Sequence, residues 1–476
     1  MAYDALVIGS GPNGLTAGII LAQAGCKTLM VEQAAEIGGG CRSAALTAPG
    51  FIHDICAAVH PLGFSSPIFQ KLPLHEHGLD WCRPEIPLAH PLDGGRAALL
   101  YHDLQETAAG LKGDGLAYHN LIAPLVKSWP ELVDGILGPV LRMPRHPLLL
   151  ARFAHNSLFS VATLTKRHFR EETTRALFAG LAVHGLLPLE SSPTAGFAMI
   201  LGSAAHAVGW PLVTGGSRQL VQALAAYFQK LGGVIENNHP IRRHRDLPTA
   251  RVTMFDLTPA QILEIAGEHF HPAPRRRLQA FRHSPGVFKL DWALNEAIPW
   301  QNPDCRRAGT VHLGGGFAEI AHSEREVWRG RHPEKPAVIL VQPSLADRSR
   351  APAGCHTAWA YCHVPAASTT DMSTAIENQV ERFAPGFRRI IRQRSVMNPA
   401  AMEAYNPNYR GGDISGGVQN LRQTIFRPTI ALNPYALPRP GWFICSSSSP
   451  PGGGVHGMCG FHAARQALQW LTKKQT

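Results

Sequence analysis

The chain has 476 residues, of which 45 % are hydrophobic and 17 % charged, with a formal net charge of +11. That is ordinary for a globular protein of two or three domains with sizeable cores. The basic balance suits an acidic ligand or an anionic membrane surface, but there is no lysine-rich tract, zinc-ligand spacing or RNA-binding signature, so neither nucleic acid nor a metal is expected.

No apolar run reaches the ~18 residues needed to cross a bilayer. The opening MAYDALVIGSG has no basic n-region or cleavage site, and nine cysteines are scattered singly without a C-x-x-C. Both features predict a reducing, cytoplasmic location, with attachment to the cytoplasmic face of a membrane as the alternative.

The stretch YDALVIGSGPNGLTAGIILAQAGCKTLMVEQ reads as strand, tight turn, helix, strand. Ala5 to Ile8 form a short apolar run that fits a buried parallel strand. In the G-x-G-x-x-G spacing, Gly9 permits the turn, Gly11 lets backbone approach a pyrophosphate, and Gly14 lets helix pack on strand. Pro12 and Asn13 lie in that loop. The helix from Gly14 to about Gln23 aims its amides at the phosphates. The second strand, KTLMVE, ends in Glu32, with Gln33 beside it. The Glu32 carboxylate suits two ribose hydroxyls and repels a 2′-phosphate. The glycine spacing alone is weak; with two strands, a helix and an acid at the right distance it predicts a bound dinucleotide. A second cluster, Gly38, Gly39 and Gly40 followed by Arg42, is foreign to a plain nicotinamide site. It fits a flavin site, where backbone and an arginine close over the diphosphate. His60 follows the segment expected beside a flavin ring.

Residues 66–210 read as mainly helical and loop-rich. Within them, 135–169 mixes Leu, Phe and Val with Arg142, Arg145, Arg152, Lys166 and Arg167. This fits an amphipathic surface lying on a membrane, and equally a helix packed on its own domain with solvated arginines. Residues 211–241 return to the strand–helix pattern: a Gly-Gly-Ser turn, an amphipathic helix with Leu220, Leu224 and Phe228 on one face, then the strand GGVIENNHPI. A further strand and a helix capped at Thr258, with Pro259 in its first turn, follow. Residues 283–430 read as a mixed sheet with helices; GVFKLDWAL, AVILVQPS and TAWAYCHVP are its strands.

The G-x-G-x-x-G spacing recurs at Gly452, Gly454 and Gly457, in PPGGGVHGMCGFHAA. A nicotinamide fold needs a further strand and an acid ~20 residues on; the sequence reaches Thr476 without either. The loop Gly454, Val455, His456, Gly457 and Met458 is therefore expected to serve the other end of the same cofactor. Its helix pole would stabilise negative charge on a reduced flavin.

The fold class is accordingly α/β. A Rossmann-like FAD-binding domain is assembled from 1–65, 211–282 and 431–476. A helical cap spans 66–210, and an inserted mixed-sheet substrate domain spans 283–430. Together, PGVFKLDWAL, ERFAPGFR, YNPNYRGGDISGG and SSSSPPGGGVHGMCG resemble the phytoene desaturase-like FAD oxidoreductases, the family of carotenoid desaturases, carotenoid isomerases and retinol saturases. The resemblance covers nearly the whole chain and is greatest to the bacterial phytoene dehydrogenase-like subgroup. It implies noncovalent FAD held on the glycines above with Glu32, Arg42 and Ile241, the last through backbone near the adenine. One departure stands out: many relatives carry Gly-Asp ahead of the last glycine loop, where this chain has Ser446 to Ser449. Thiol chemistry is not expected, because Cys41 and Cys56 lack the spacing of a redox pair.

With a flavin and no second nucleotide fold, the expected reaction is oxidation or desaturation of an apolar, polyene or isoprenoid substrate by hydride transfer to flavin N5, with oxygen or a quinone as electron acceptor. An FAD-dependent isomerase and a non-catalytic flavin-bound regulator are the alternatives. The polar candidates for catalysis are His60, Tyr409, Asp413 and His456, with Tyr361, His363 and Asn406 behind them.

Overall fold

In the computed structural model, residues 3–139 and 142–473 are described. The chain opens with β1 (Tyr3–Ile8), α1 (Pro12–Gln23) and β2 (Thr28–Val31). A hairpin, β3 (Ile86–Pro91) and β4 (Ala97–Leu100), precedes a helical stretch containing α2 (Pro147–Ser157), α3 (Val161–His168), α4 (Glu172–Val183) and α5 (Thr194–Ala207). Then come α6 (Arg218–Lys230), β5 (Val234–Glu236), β6 (Ala250–Phe255) and α7 (Pro259–Ala266). Later elements include β7 (Gly286–Leu294), β8 (Ala308–Leu313), β9 (Val338–Val341), β10 (His356–Val364), β11 (Ile391–Met397), β12 (Trp442–Ile444) and α8 (Met458–Lys473), with further helices between them.

Two sheets organise the molecule. The first has the order β12-β6-β1-β2-β5, and every adjacent pair is parallel. Ala5, Leu6 and Val7 are fully buried because helices cover both faces. Pro12 opens α1 at a position where its missing N–H costs nothing. On α6, Leu220, Leu224 and Phe228 form a single buried face. Thr258 and Gln261 make a reciprocal capping box at the start of α7. This is the α/β dinucleotide-binding fold expected from the glycine loop.

The second sheet has the order β11-β7-β10-β9-β8-β3-β4. It is mixed: β8 and β3 run parallel and every other neighbouring pair is antiparallel. The stretch 66–210 is mainly helical, as expected, but its β3 and β4, which the sequence reading did not separate from the helices, complete this sheet. The sequence IPLAHPLDGGRAALL turns at Asp93-Gly94-Gly95, with both glycines at positive φ, a turn residue pattern suited to a hairpin.

The basic stretch 135–169 divides in two. On α3, Val161, Leu164 and Thr165 are buried, so that face is internal packing. Around α2, Leu148, Met143 and Leu158 stand in solvent. Val140 and Leu141 lie outside the described residues. Among the described residues no helix is long and apolar enough to cross a membrane.

Candidate functional site

The C-terminal ends of β1, β2 and β6 meet where ligands lie in open parallel sheets, and a long cavity begins there. It encloses about 1960 Å³ of non-atom space, part of it open to solvent. Its lining runs from both glycine loops to one face of the second sheet. Gly9, Gly11, Pro12, Asn13, Glu32, Gln33, Gly39, Gly40, Arg42, Ile241, Gly454 and Val455 all line it. The two glycine loops therefore face one cavity, although they stand far apart in sequence.

The dinucleotide end is built from backbone. Gly11 caps α1 with no side-chain acceptor of its own; the Gly14 amide is taken by Asp256, and the rest of the first turn is left for an anion. A Cβ on Gly14 would strike the carbonyl oxygen of Gly9, so only glycine closes this turn. Glu32 is braced for its place: Oε2 accepts from the Ser10 amide (3.1 Å) and Oγ (2.6 Å), and Oε1 from the Ala34 amide (2.9 Å). Arg42 lies 3.4 Å from Glu32 and donates to the carbonyls of Ile37 and Glu36. Orphan helix amides, a ribose-directed acid and glycine walls suit an anionic dinucleotide. Of the four serines replacing the expected Gly-Asp, Ser447 lines the cavity. The hydroxyls of Ser446, Ser448 and Ser449 donate to the carbonyls of Leu257, Gly416 and Ser446, stitching the turn.

The far end is apolar. Thr310 of β8, Ile339 and Val341 of β9, and Trp359 and Tyr361 of β10 present one sheet face to the cavity. Trp359 and Tyr361 are stacked, with ring centres 5.8 Å apart. Leu201, Trp210, Ile414 and His184 close the wall. Behind it, Lys289 and Asp291 form a buried ion pair at 2.5 Å, with the Lys289 ammonium 5.3 Å from the Trp359 ring centre.

The structure sorts the catalytic candidates. His60, Tyr361, Asn406 and Tyr409 line the cavity. Asp413 does not. Its carboxylate accepts from the amides of Ser284, Ser415 and Gly417 and the hydroxyl of Ser415, and pairs with His283, so its role is to fold the loop. His456 is also turned away: Nδ1 accepts from the Met458 amide at 3.1 Å, at the first turn of α8. His363 is engaged with buried Glu324 at 2.8 Å. Gly14, Gly457 and Met458 shape the cradle from behind its surface.

Hydrogen-bond logic fixes the tautomer of one cavity imidazole. The Ser217 hydroxyl donates to the Ala57 carbonyl, so His60 Nε2 must donate to Ser217 Oγ at 2.8 Å, and its Nδ1 keeps the lone pair. His184, unremarked in the sequence, joins a row with the buried His90 and His312. His90 Nε2 donates to the Gly315 carbonyl at 2.9 Å, which leaves lone-pair character on His90 Nδ1. That nitrogen and His312 Nδ1 have no protein partner, and they lie 2.9 and 2.8 Å from where a Cβ on Gly180 would sit. His312 Nε2 and His184 Nε2 share a hydrogen bond at 3.0 Å, its donor set by which of the two rings carries the Nε2 proton. Burial holds the pKa of His60 down at about 4 and that of His184 at about 3, so both rings are neutral at pH 7.

Asp256 was also missed. It follows β6 directly, lines the cavity and accepts the Gly14 amide at 3.0 Å. The signal was its place at the carboxyl end of a parallel strand.

Glu32→Ala is expected to weaken FAD binding by about 1.5–3 kcal/mol per lost charged hydrogen bond, roughly 10- to 150-fold in Kd. A flavin fluorescence titration measures this; unchanged affinity would place the ribose elsewhere.

Residues 7–72 match the NAD(P)-binding Rossmann-like domain family. The chain is 26 % identical to pyridine nucleotide-disulfide oxidoreductase domain-containing protein 2 of Rattus norvegicus, over 97 % of this chain and 92 % of that protein. A shorter stretch, 23 % of this chain and 20 % of the relative, is 32 % identical to a limonene dehydrogenase polypeptide of Castellaniella defragrans. Wild-type putrescine oxidase bound to putrescine superposes with a TM-score of 0.64 at 16 % identity, covering 99 % of both chains. One glycine-walled cavity joins a dinucleotide fold to a mixed-sheet domain, so the chain shares its fold with putrescine oxidase and is similar, over nearly its whole length, to the rat oxidoreductase-domain protein.

Proposed function

We propose that the protein is an FAD-dependent dehydrogenase or desaturase of an apolar substrate, holding its cofactor noncovalently. The observation that carries this reading is the distribution of charge in the cavity. Its acidic lining residues are Glu32 and Asp256, both at the dinucleotide end. The opposite end offers aliphatic and aromatic side chains and neutral imidazoles and, among the described residues, no carboxylate to hold an alkylammonium. An apolar isoprenoid is suited to such a wall; a diamine is not.

Bound FAD supplies the hydride acceptor, N5. The residues of the chain hold and orient. Glu32 engages the ribose, the helix amides the diphosphate, and the Trp359–Tyr361 face the substrate. Desaturation removes a hydride and a proton from neighbouring carbons. The neutral imidazoles of His184 and His60 are the candidates to accept that proton. The isolated dinucleotide fold leaves oxygen or a quinone as the terminal acceptor.

Anaerobic mixing of FAD-loaded protein with limonene, putrescine, NADH and NADPH tests the reading. The hydrocarbon is expected to bleach the flavin, and the diamine and both nicotinamides to do so poorly. Fast bleaching by putrescine would make it an amine oxidase, and saturable bleaching by NADH near ~10 s⁻¹ a nicotinamide-driven reductase. Turnover that needs pre-reduced flavin would mark the isomerase.

The exposed Met143, Leu148 and Leu158 beside Arg142, Arg145 and Arg152 support peripheral membrane docking. Anionic liposomes are expected to sediment the protein at low salt and release it partly at high salt. Absence of binding at every salt concentration would end that reading.

A further inference from the structure

A carboxyl group stands where an anion is expected. Asp256 is 7 % exposed, follows the strand next to β1, and lines the dinucleotide end of the cavity. Its Oδ2 accepts the Gly14 amide at 3.0 Å and lies 2.7 Å from where a Cβ on Gly11 would be. It thus occupies one of the α1 amides that the diphosphate of FAD would be drawn to. An ionised Asp256 there would oppose the cofactor; a neutral acid would accept from Gly14 and still donate its own proton.

The surroundings decide between these states. After β2, Glu32 faces Asp256 with a like charge. Cys445 after β12 and Cys459 on α8 are the other titratable groups beside it, and both are uncharged thiols whose pKa values are raised. The backbone carbonyl of Asp256 is taken by Asn408 Nδ2 at 3.0 Å. Among the described residues no lysine, arginine or histidine forms an ion pair with its carboxyl. Burial first, then the Glu32 charge, holds the Asp256 pKa well above the carboxylate range; the Gly14 and Gly11 amides pull the other way and do not prevail.

We propose that Asp256 holds the dinucleotide as a neutral carboxylic acid, so that retention of FAD is coupled to one proton on this side chain. The proposal rests on the FAD reading above and goes beyond it by assigning a residue and a protonation state. The linkage has a definite sign. The bound diphosphate favours the protonated acid, so affinity is level below the carboxyl's pKa in the free protein and falls as pH rises through it.

Two measurements test this. The first is the infrared difference spectrum of FAD binding to protein carrying carboxyl-labelled aspartate. A protonated-carboxyl C=O band that moves with the label and is missing in Asp256→Asn is expected; no such band overturns the proposal. The second is FAD release from the holoenzyme diluted into a pH series, followed by flavin fluorescence. Wild type is expected to lose up to about tenfold in affinity per pH unit above the carboxyl's pKa. Asp256→Asn, which accepts and donates without ionising, is expected to bind FAD within about threefold of wild type at pH 7 and to lose less affinity at high pH. A folded Asp256→Asn that binds more than tenfold more weakly at pH 7 overturns the proposal, since the charge would then be needed. If that variant does not fold, the label-sensitive band in wild type decides alone. Failure to bind FAD at any pH sinks the cofactor reading itself; binding beside an ionised carboxylate sinks only this proposal.

Discussion

Gly460→Ala is expected to strip the protein of flavin and to lower its stability by roughly 3 kcal/mol, the upper end of ordinary overpacking. Gly460 sits in the first turn of α8, against α1. A Cβ there would fall on the Asn13 carbonyl oxygen, 2.8 Å from the carbonyl carbon and 3.0 Å from the Ala17 amide nitrogen. These are backbone atoms, so no rotamer change relieves the clash and the helices must part. Asn13 belongs to the glycine loop, so the parting moves the cradle as well as the core. Flavin content after gel filtration and a thermal melt measure both effects. Gly110→Ala is the control: a Cβ there meets nothing within 4 Å, and an effect within ~1 kcal/mol is expected. If Gly460→Ala keeps its flavin and its melting midpoint, the α1–α8 contact is looser than described.

Arg350→Met is expected to cost about 3–5 kcal/mol, the range for stranding one member of a buried ion pair. Arg350 is fully buried. Its Nη2 pairs with Asp54 at 2.5 Å, and its Nε donates to the Ile52 carbonyl at 3.2 Å. Asp54 also accepts from Ser43 Oγ and the Ser217 amide, and Ser217 in turn accepts from His60, so losing Arg350 loosens a cavity imidazole. Burial alone would raise the Asp54 pKa; the Arg350 charge and the Ser43 and Ser217 donors reverse this and leave it lowered. The sign follows. In wild type this carboxylate stabilises the fold above its unfolded pKa, and the contribution is lost as pH falls through the lowered folded pKa. Without Arg350, burial dominates and the pKa rises, so the stability gap between variant and wild type narrows as pH falls from neutral. Denaturant melts at several pH values show this. A gap independent of pH would mean that Asp54 does not carry the effect. Adding Asp54→Asn should recover part of the loss.

Most of the scaffold was legible because its signals are local. Gly9 to Gly14, Thr258 with Pro259, and the face of Leu220, Leu224 and Phe228 each depend on neighbours within a turn or two. The run GVFKLDWAL coincides with β7 from first residue to last. What escaped was convergence in space. His90, His184 and His312 lie on β3, just past α4 and on β8; among 24 histidines nothing in their spacing marks them as neighbours. Asp413 and His456 failed the other way. A glycine-rich loop containing an acid or an imidazole looks like a reactive site, yet these side chains satisfy backbone amides of the loops themselves. Lys289 and Asp291 could have been suspected, since opposite charges two apart in an apolar strand share a face and pair when buried. The Asp93-Gly94-Gly95 turn was a hairpin signal passed over inside a stretch classed by its helices.

Because α8 closes on α1, the cofactor cradle has an order of manufacture. The strand, loop and helix that meet the phosphates leave the ribosome well before α8, the helix that closes on them. At about 5–20 residues per second, the early segment waits roughly 20–90 s for its partner. During that wait the open edges of β1 and of β2, whose lasting neighbours β6 and β5 come from much later sequence, are uncovered. Yield in a recombinant host should therefore respond more to chaperone supply and slower induction at low temperature than to changes that merely stabilise the finished fold. Riboflavin supplementation should help only after the last helix has docked, by trapping molecules that have already closed.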